Sequence, residues 1–233
     1  MSPTASLATG RPIHMRDSGD ARCPHVVFEQ VFGPRRVAEL MEHVGARRDE
    51  FRPGIVRNRV SGRRGVNAKL RSCLHLRDLG VHEGAMRGFV SSIATAALDA
   101  LHLAEPAVEP CELDLVSYRD GDYFRAHIDT IERTDQVRSL SCVYYFAASP
   151  RRFTGGELRL HGFPRPSVGP RPEPAPHVDI APETDTLVVF PSWLRHEVLP
   201  VRVPSGAWTD GRFTINCWLH RARPPVAGVA DPS

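Results

Sequence analysis

The apolar residues follow one rhythm in the first hundred positions and another after them. From Val26 to Phe32 they form a short strand-like run, and Gly33-Pro34 then punctuates the chain. Val37, Leu40, Met41 and Val44 follow at helical spacing, an amphipathic helix whose stripe needs a sheet to cover. A second helix is expected from Glu83 to Leu103, with Met86, Phe89, Val90, Ile93, Ala97 and Leu101 on one side. Between the helices, residues 52–71 are rich in Gly, Asn and Arg, with Arg57, Arg59, Arg63 and Arg64 around Gly62 and Gly65. That stretch reads as a loop and as a candidate lid over a site. Residues 1–22 mix Ser, Gly, Asp, Arg and Pro without an apolar block, so they read as a flexible tail and not as a secretory signal. Residues 222–233 read as a second tail.

After Pro106 the texture changes to short β-type runs between turn residues: 111–118, 138–146, 157–161, 177–180, 186–190, 196–203 and 212–220. Seven short strands after two helices predict a mainly β fold, a double-sheet jelly roll with the helices packed on one sheet. The domain is expected to run over 23–221, with a helical part at 23–105 and the jelly-roll core at 106–221. The proline-dense stretch 164–176 cannot be a central strand and reads as a surface loop.

Composition narrows the function classes. A chain of 233 residues that is 41% apolar can build a full core. Its net charge of +3 is small, and Lys69 is the only lysine, so no broad basic footprint for nucleic acid is present. No apolar run is long enough to span a bilayer. The five cysteines, Cys23, Cys73, Cys111, Cys142 and Cys217, are scattered and without a C-x-x-C pair, which reads as reduced, mostly buried thiols of a cytoplasmic protein.

The candidate chemistry begins at His127-Ile128-Asp129, at the end of a predicted strand. Side-chain alternation points residues i and i+2 to the same face, so both can grip one ion. A three-residue pattern is weak by itself and needs a third ligand. His196 opens a new strand just after the apolar run Leu187-Val188-Val189-Phe190. Two histidines and a carboxylate on a β scaffold make a facial triad for Fe(II) that leaves coordination positions open, whereas a lone His196 would read as a strand-end histidine satisfied by backbone. On the run Arg212 to Leu219, alternation gives Phe213, Ile215, Cys217 and Leu219 one apolar face. Arg212, Thr214, Asn216 and Trp218 share the other. An arginine aimed into a barrel mouth calls for an anion, and a carboxylate suits its two parallel N–H donors.

These features occur in an order that resembles the Fe(II)/2-oxoglutarate oxygenases, in their prolyl-4-hydroxylase-like branch. The surrounding phrases are similar too: Tyr118 ahead of Gly121 and His127, the strand Arg138 to Phe146, then Gly155-Gly156-Glu157-Leu158-Arg159-Leu160, then His196-Glu197-Val198. The resemblance covers residues 111–221. It implies a double-stranded β-helix of the cupin-like kind, with His127, Asp129 and His196 as iron ligands. It implies that Arg212 and Thr214 bind the distal carboxylate of 2-oxoglutarate, with Tyr145 adding a hydrogen bond, Tyr118 lining the pocket and Trp218 walling it. Arg138 stands where relatives place a substrate-contacting arginine. Fe(II), 2-oxoglutarate and O2 are implied, with ascorbate as a stimulant. The implied substrate is a prolyl residue of a peptide or protein, or a small proline-like molecule.

Two departures bear on the branch. Many collagen-type relatives carry Lys where this chain has Arg212, so the likeness is to the arginine-bearing and bacterial members. Nucleobase demethylases carry a second Arg where this chain has Trp218, which counts against nucleic acid. The residues leave Tyr144 and Tyr145 interchangeable, since a one-residue slip of register would exchange them. They also leave open a free amino acid or natural-product intermediate as substrate, a metal-dependent hydrolase or isomerase, and a jelly-roll module that binds a sugar or peptide without turnover. The oligomeric state is not legible.

Overall fold

A computed structural model describes residues 4–6, 12–57, 64–105, 107–130, 138–164 and 175–221. Its centre is a nine-stranded antiparallel sheet in the order 4–6, 12–17, 26–29, 186–191, 138–146, 212–221, 108–118, 74–76 and 52–53. Facing it is a five-stranded sheet in the order 177–180, 158–161, 196–198, 123–127 and 71–72. The two sheets form the jelly roll that the strand runs predict.

The helices Pro34–Ala46 and Glu83–Ala100 cover the outer face of the large sheet. Their stripes, Val37, Leu40 and Val44 in one and Met86, Phe89, Val90 and Ile93 in the other, join a core with Leu115, Cys142, Tyr144, Leu187, Phe213, Ile215 and Leu219. Each fully buried Leu or Phe stabilises the fold by roughly 1.5–3 kcal/mol. On the inner face, Val27, Tyr145, Leu158, Leu160, Val188, Phe190 and Leu194 fill the space between the sheets. The run Leu187–Phe190 is apolar throughout because its alternate side chains serve both cores.

The observed strands Arg138–Phe146 and His177–Ile180 have the bounds that the alternation gave. Two expectations need correction. The stretch 1–22 is not wholly a tail, since Pro12–Asp17 pairs with Val26–Glu29 and Met15 is buried. Likewise 52–71 is not simply a loop: it holds the strands Arg52–Pro53, Ile55–Arg57, Arg64–Val66 and Arg71–Ser72, the middle two forming a hairpin. These pieces are too short to show a period, and their partners are distant in sequence. The lid expectation falls partly on 58–63, and the proline-dense loop mostly on 165–174, both outside the described residues, as is the tail 222–233. Cys23, Cys73, Cys142 and Cys217 are buried thiols outside any disulfide among the described residues; the side chain of Cys111 lies outside the described set. Among the described residues no helix is long and apolar enough to cross a membrane.

Candidate active site

The small sheet brings the two histidines together. His127 ends the strand Tyr123–His127 and pairs directly with His196, the first residue of His196–Val198. Their rings lie 4.2 Å apart. Asp129, two residues beyond the strand end, is tied down by its backbone N–H donating to Ser192 O at 2.9 Å. His127 Nε2 is 3.5 Å from Asp129 Oδ1, and His196 Nε2 is 3.5 Å from Asp129 Oδ2. Among the described residues this is the one group of three whose ligand atoms all fall within 4.8 Å of one another.

The surroundings prepare these atoms for a cation. Each imidazole places Nδ1 2.8 Å from a backbone carbonyl, Arg125 O for His127 and Leu194 O for His196. A carbonyl only accepts, so Nδ1 carries the proton and Nε2 keeps a lone pair towards the cluster. Phe124 stacks on His127 at 3.6 Å, and Phe190 meets His196 edge-on at 4.7 Å, which sets both ring planes. Burial pushes the His196 imidazole down to about 4, with His127 adding to the effect, so it is neutral near pH 7. The flanking histidines hold the Asp129 carboxyl far below the ordinary carboxylate range, against the opposing effect of burial. Asp129 Oδ2 accepts from Ser141 Oγ at 2.7 Å and from Trp218 Nε1 at 2.8 Å, and Ser141 Oγ lies 2.9 Å from Ser192 Oγ. A divalent ion suits two neutral imidazoles and one anion arranged in this way.

A second cluster stands on the inner face of the large sheet. Arg212 is 1% exposed, and its guanidinium lies 4.9 Å from both the Tyr118 and the Tyr145 rings. Arg212 Nε, Nη1 and Nη2, Thr214 Oγ1 and the Tyr145 hydroxyl are all buried without a hydrogen-bond partner among the described residues. Burial pushes the Tyr145 phenol up to about 12, so it stays a donor. A buried cation without partners is costly, and five orphaned polar atoms around one point, all able to donate, fit a carboxylate. The end of a dicarboxylate such as 2-oxoglutarate matches this donor set.

The ladder settles the tyrosine ambiguity. Tyr145 pairs with Thr214 and lies on the inner face against Arg212, whereas Tyr144 turns to the helical core and donates to Asp185 Oδ1 at 2.9 Å. Trp218, expected as a wall of the pocket, donates its indole N–H to Asp129. Arg138 lies outside both clusters: it stacks 4.1 Å over Trp218 and pairs with Glu112 at 2.7 Å. Sequence reading missed Ser141, Ser192, Phe124 and Phe190. Only Ser141 left a trace, because alternation places it on the face of Tyr145.

A jelly roll with a two-histidine, one-carboxylate cluster and a buried arginine is the architecture of a non-haem metal oxygenase. Residues 113–220 match the model of the 2OG-Fe(II) oxygenase superfamily. That stretch, a little under half of the chain, is therefore similar to an oxygenase domain of that superfamily. A curated relative, an uncharacterized PKHD-type hydroxylase of Synechocystis sp. (strain ATCC 27184 / PCC 6803 / Kazusa), is 34% identical over 124 residues, which cover 53% of this chain and 41% of the relative. The chain thus matches about two fifths of that relative's length. Among solved structures, a prolyl-4-hydroxylase of Pseudomonas putida aligns with TM-score 0.58 and 20% identity over 85% of this chain and 92% of that one. A Trichoplax adhaerens prolyl hydroxylase in complex with a peptide fragment aligns with TM-score 0.58 and 18% identity, covering 84% and 83%. The epimerase SnoN of nogalamycin biosynthesis gives 0.55 and 18% over 91% and 89%. At these identities the structural likeness speaks for the fold.

Proposed function

We propose that this chain is an Fe(II)- and 2-oxoglutarate-dependent dioxygenase that hydroxylates an unactivated C–H bond, in a prolyl residue or a proline-like molecule. The observation that carries the proposal is Arg212, a fully buried guanidinium without a hydrogen-bond partner among the described residues, on the strand face it shares with Trp218, which donates to Asp129 of the His127, Asp129 and His196 cluster. The match of residues 113–220 to the superfamily model supports the cofactor pair, and the PKHD-type relative supports hydroxylation.

In this reading His127 Nε2, His196 Nε2 and an Asp129 oxygen hold Fe(II). Bound there, the ion with 2-oxoglutarate and O2 supplies the oxidising power for C–H hydroxylation, with succinate and CO2 as coproducts. The protein's part is placement. Ser141 and Trp218 occupy Asp129 Oδ2 and leave Oδ1 for the metal. Arg212 and Thr214 anchor the remote carboxylate of the cosubstrate, with the Tyr145 hydroxyl as a further donor and the Tyr118 ring as a wall. Leu158, Leu160, Val188 and Phe190 keep the inner space apolar.

Anaerobic loading with Fe(II) and 2-oxoglutarate, then admission of O2, tests the proposal through succinate release. Prolyl peptides, free proline and a panel of small metabolites serve as substrates. Release that needs Fe(II) and O2 is expected, and Asp129→Ala should abolish it. Normal 2-oxoglutarate consumption by purified Asp129→Ala protein would sink the assignment.

A further inference from the structure

The inner face of the large sheet carries polar side chains for which the proposed chemistry has no use. On the strand Arg212–Arg221, Asn216 lies between Thr214 and Trp218 and shares their face. Directly across the ladder stands Asp114, and Thr214 is paired with Val116, whose other neighbour is His75. Asp114 Oδ1 is 3.5 Å from His75 Nδ1 and 3.9 Å from Arg77 Nε. Neither approach closes a hydrogen bond, and the Arg77 side chain is 64% exposed. The Asp114 side chain is only 17% exposed and that of His75 only 10%. Asn216 Oδ1 and His75 Nδ1 are buried without a hydrogen-bond partner among the described residues.

An aspartate carboxylate and an amide oxygen accept hydrogen bonds and cannot donate them. Held side by side and largely out of water, with His75 and Arg77 near Asp114 but neither closing a hydrogen bond, these oxygens are left for a ligand that brings N–H groups and positive charge. We propose that Asp114, Asn216 and His75 form the substrate-recognition wall and receive the substrate through a cationic amine. This inference rests on the oxygenase reading and narrows its substrate class. A prolyl residue inside a peptide has neither an N–H nor a charge at its nitrogen. A free amino acid or small secondary amine has both, so the wall selects that class over a peptide-embedded proline.

The test pairs free amines with their neutral counterparts. L-proline and other primary and secondary amino acids, their N-acetyl derivatives and an end-blocked prolyl peptide are titrated calorimetrically into the anaerobic Fe(II)- and 2-oxoglutarate-loaded protein. Succinate is measured after O2 is admitted. Free amines should bind at least tenfold more tightly than their acetylated forms and raise succinate release. Asp114→Asn and, as a second variant, Asn216→Ala should each lose amine affinity, Asp114→Asn at least tenfold, with the visible absorption of the Fe(II)–2-oxoglutarate complex retained. Equal binding of acetylated probes, no binding of any amine, or an unaffected Asp114→Asn affinity would each overturn the assignment. A wild-type protein that never develops the visible band instead counts against the oxygenase reading, and amine titration of the metal-free protein then still reads the wall.

Discussion

The indole N–H of Trp218 donates to Asp129 Oδ2 at 2.8 Å, so a residue of the large sheet dictates how a carboxylate two residues past the end of Tyr123–His127 presents its free oxygen. Trp218→Phe keeps a ring in place and removes the donor. Outer partners of this kind are worth about 10- to 100-fold in metal affinity, so Fe(II) binding should weaken by at least about tenfold. Anaerobic calorimetry measures it; wild-type affinity in the variant would deny Trp218 this role.

Arg212→Met should separate stability from cosubstrate binding. Removing a buried cation without partners should leave the ligand-free protein equally stable or more so, by about 1 kcal/mol or more. In the wild type, 2-oxoglutarate at a hundredfold excess over its Kd adds about 2.7 kcal/mol, and the variant should gain nothing comparable. Thermal denaturation with and without 2-oxoglutarate reads both effects, and a variant still stabilised by 2-oxoglutarate would refute the anchor.

Gly156 supports the same guanidinium from behind. Its φ is +72°, and an added Cβ would come within 2.6 Å of Arg212 Cδ and 2.9 Å of Val201 Cγ2. Gly156→Ala should therefore displace Arg212, cost about 1–3 kcal/mol of stability through backbone strain, and raise the KM for 2-oxoglutarate more than it lowers kcat. Steady-state kinetics over a range of 2-oxoglutarate concentrations checks the split.

Acid should loosen the helical layer independently of the metal. The rings of His43 and His82 lie 5.0 Å apart, and burial holds both imidazoles below their ordinary value. Lowered histidines favour the neutral folded state, so their contribution is complete above the unfolded value of about 6.5 and is lost as pH falls through the folded values. Tm should hold between about pH 8 and 7 and decline towards pH 5, and His82→Phe should flatten that decline. A slope that the variant leaves unchanged would remove the pair as its cause.

Much of this was legible because periodicity reports burial. The strand Arg138–Phe146 showed its bounds since both faces are filled, and the split of Arg212–Arg221 into polar and apolar faces followed from alternation alone. The cluster at His127, Asp129 and His196 was legible through spacing and order. The tail at 12–17 misled because its strand adds backbone hydrogen bonds, and of residues 14–17 Met15 alone is buried. The link between Ser141 and Ser192 was invisible for another reason: a serine's partner 51 positions away leaves no mark on its neighbours. The choice between Tyr144 and Tyr145 needed a register, which belongs to pairs of strands and not to either one.

The three ligand positions do not belong to one layer. His127 and His196 are adjacent on the small sheet, whereas Asp129 is fastened to Ser192, beyond the end of the large-sheet strand Thr186–Pro191, and to Trp218 and Ser141 within that sheet. An ion seated there acts as a rivet through both leaves of the roll. Prying the leaves apart and stripping the ion are then one event, so chelator resistance and the slowest hydrogen exchange of the barrel should rise and fall together.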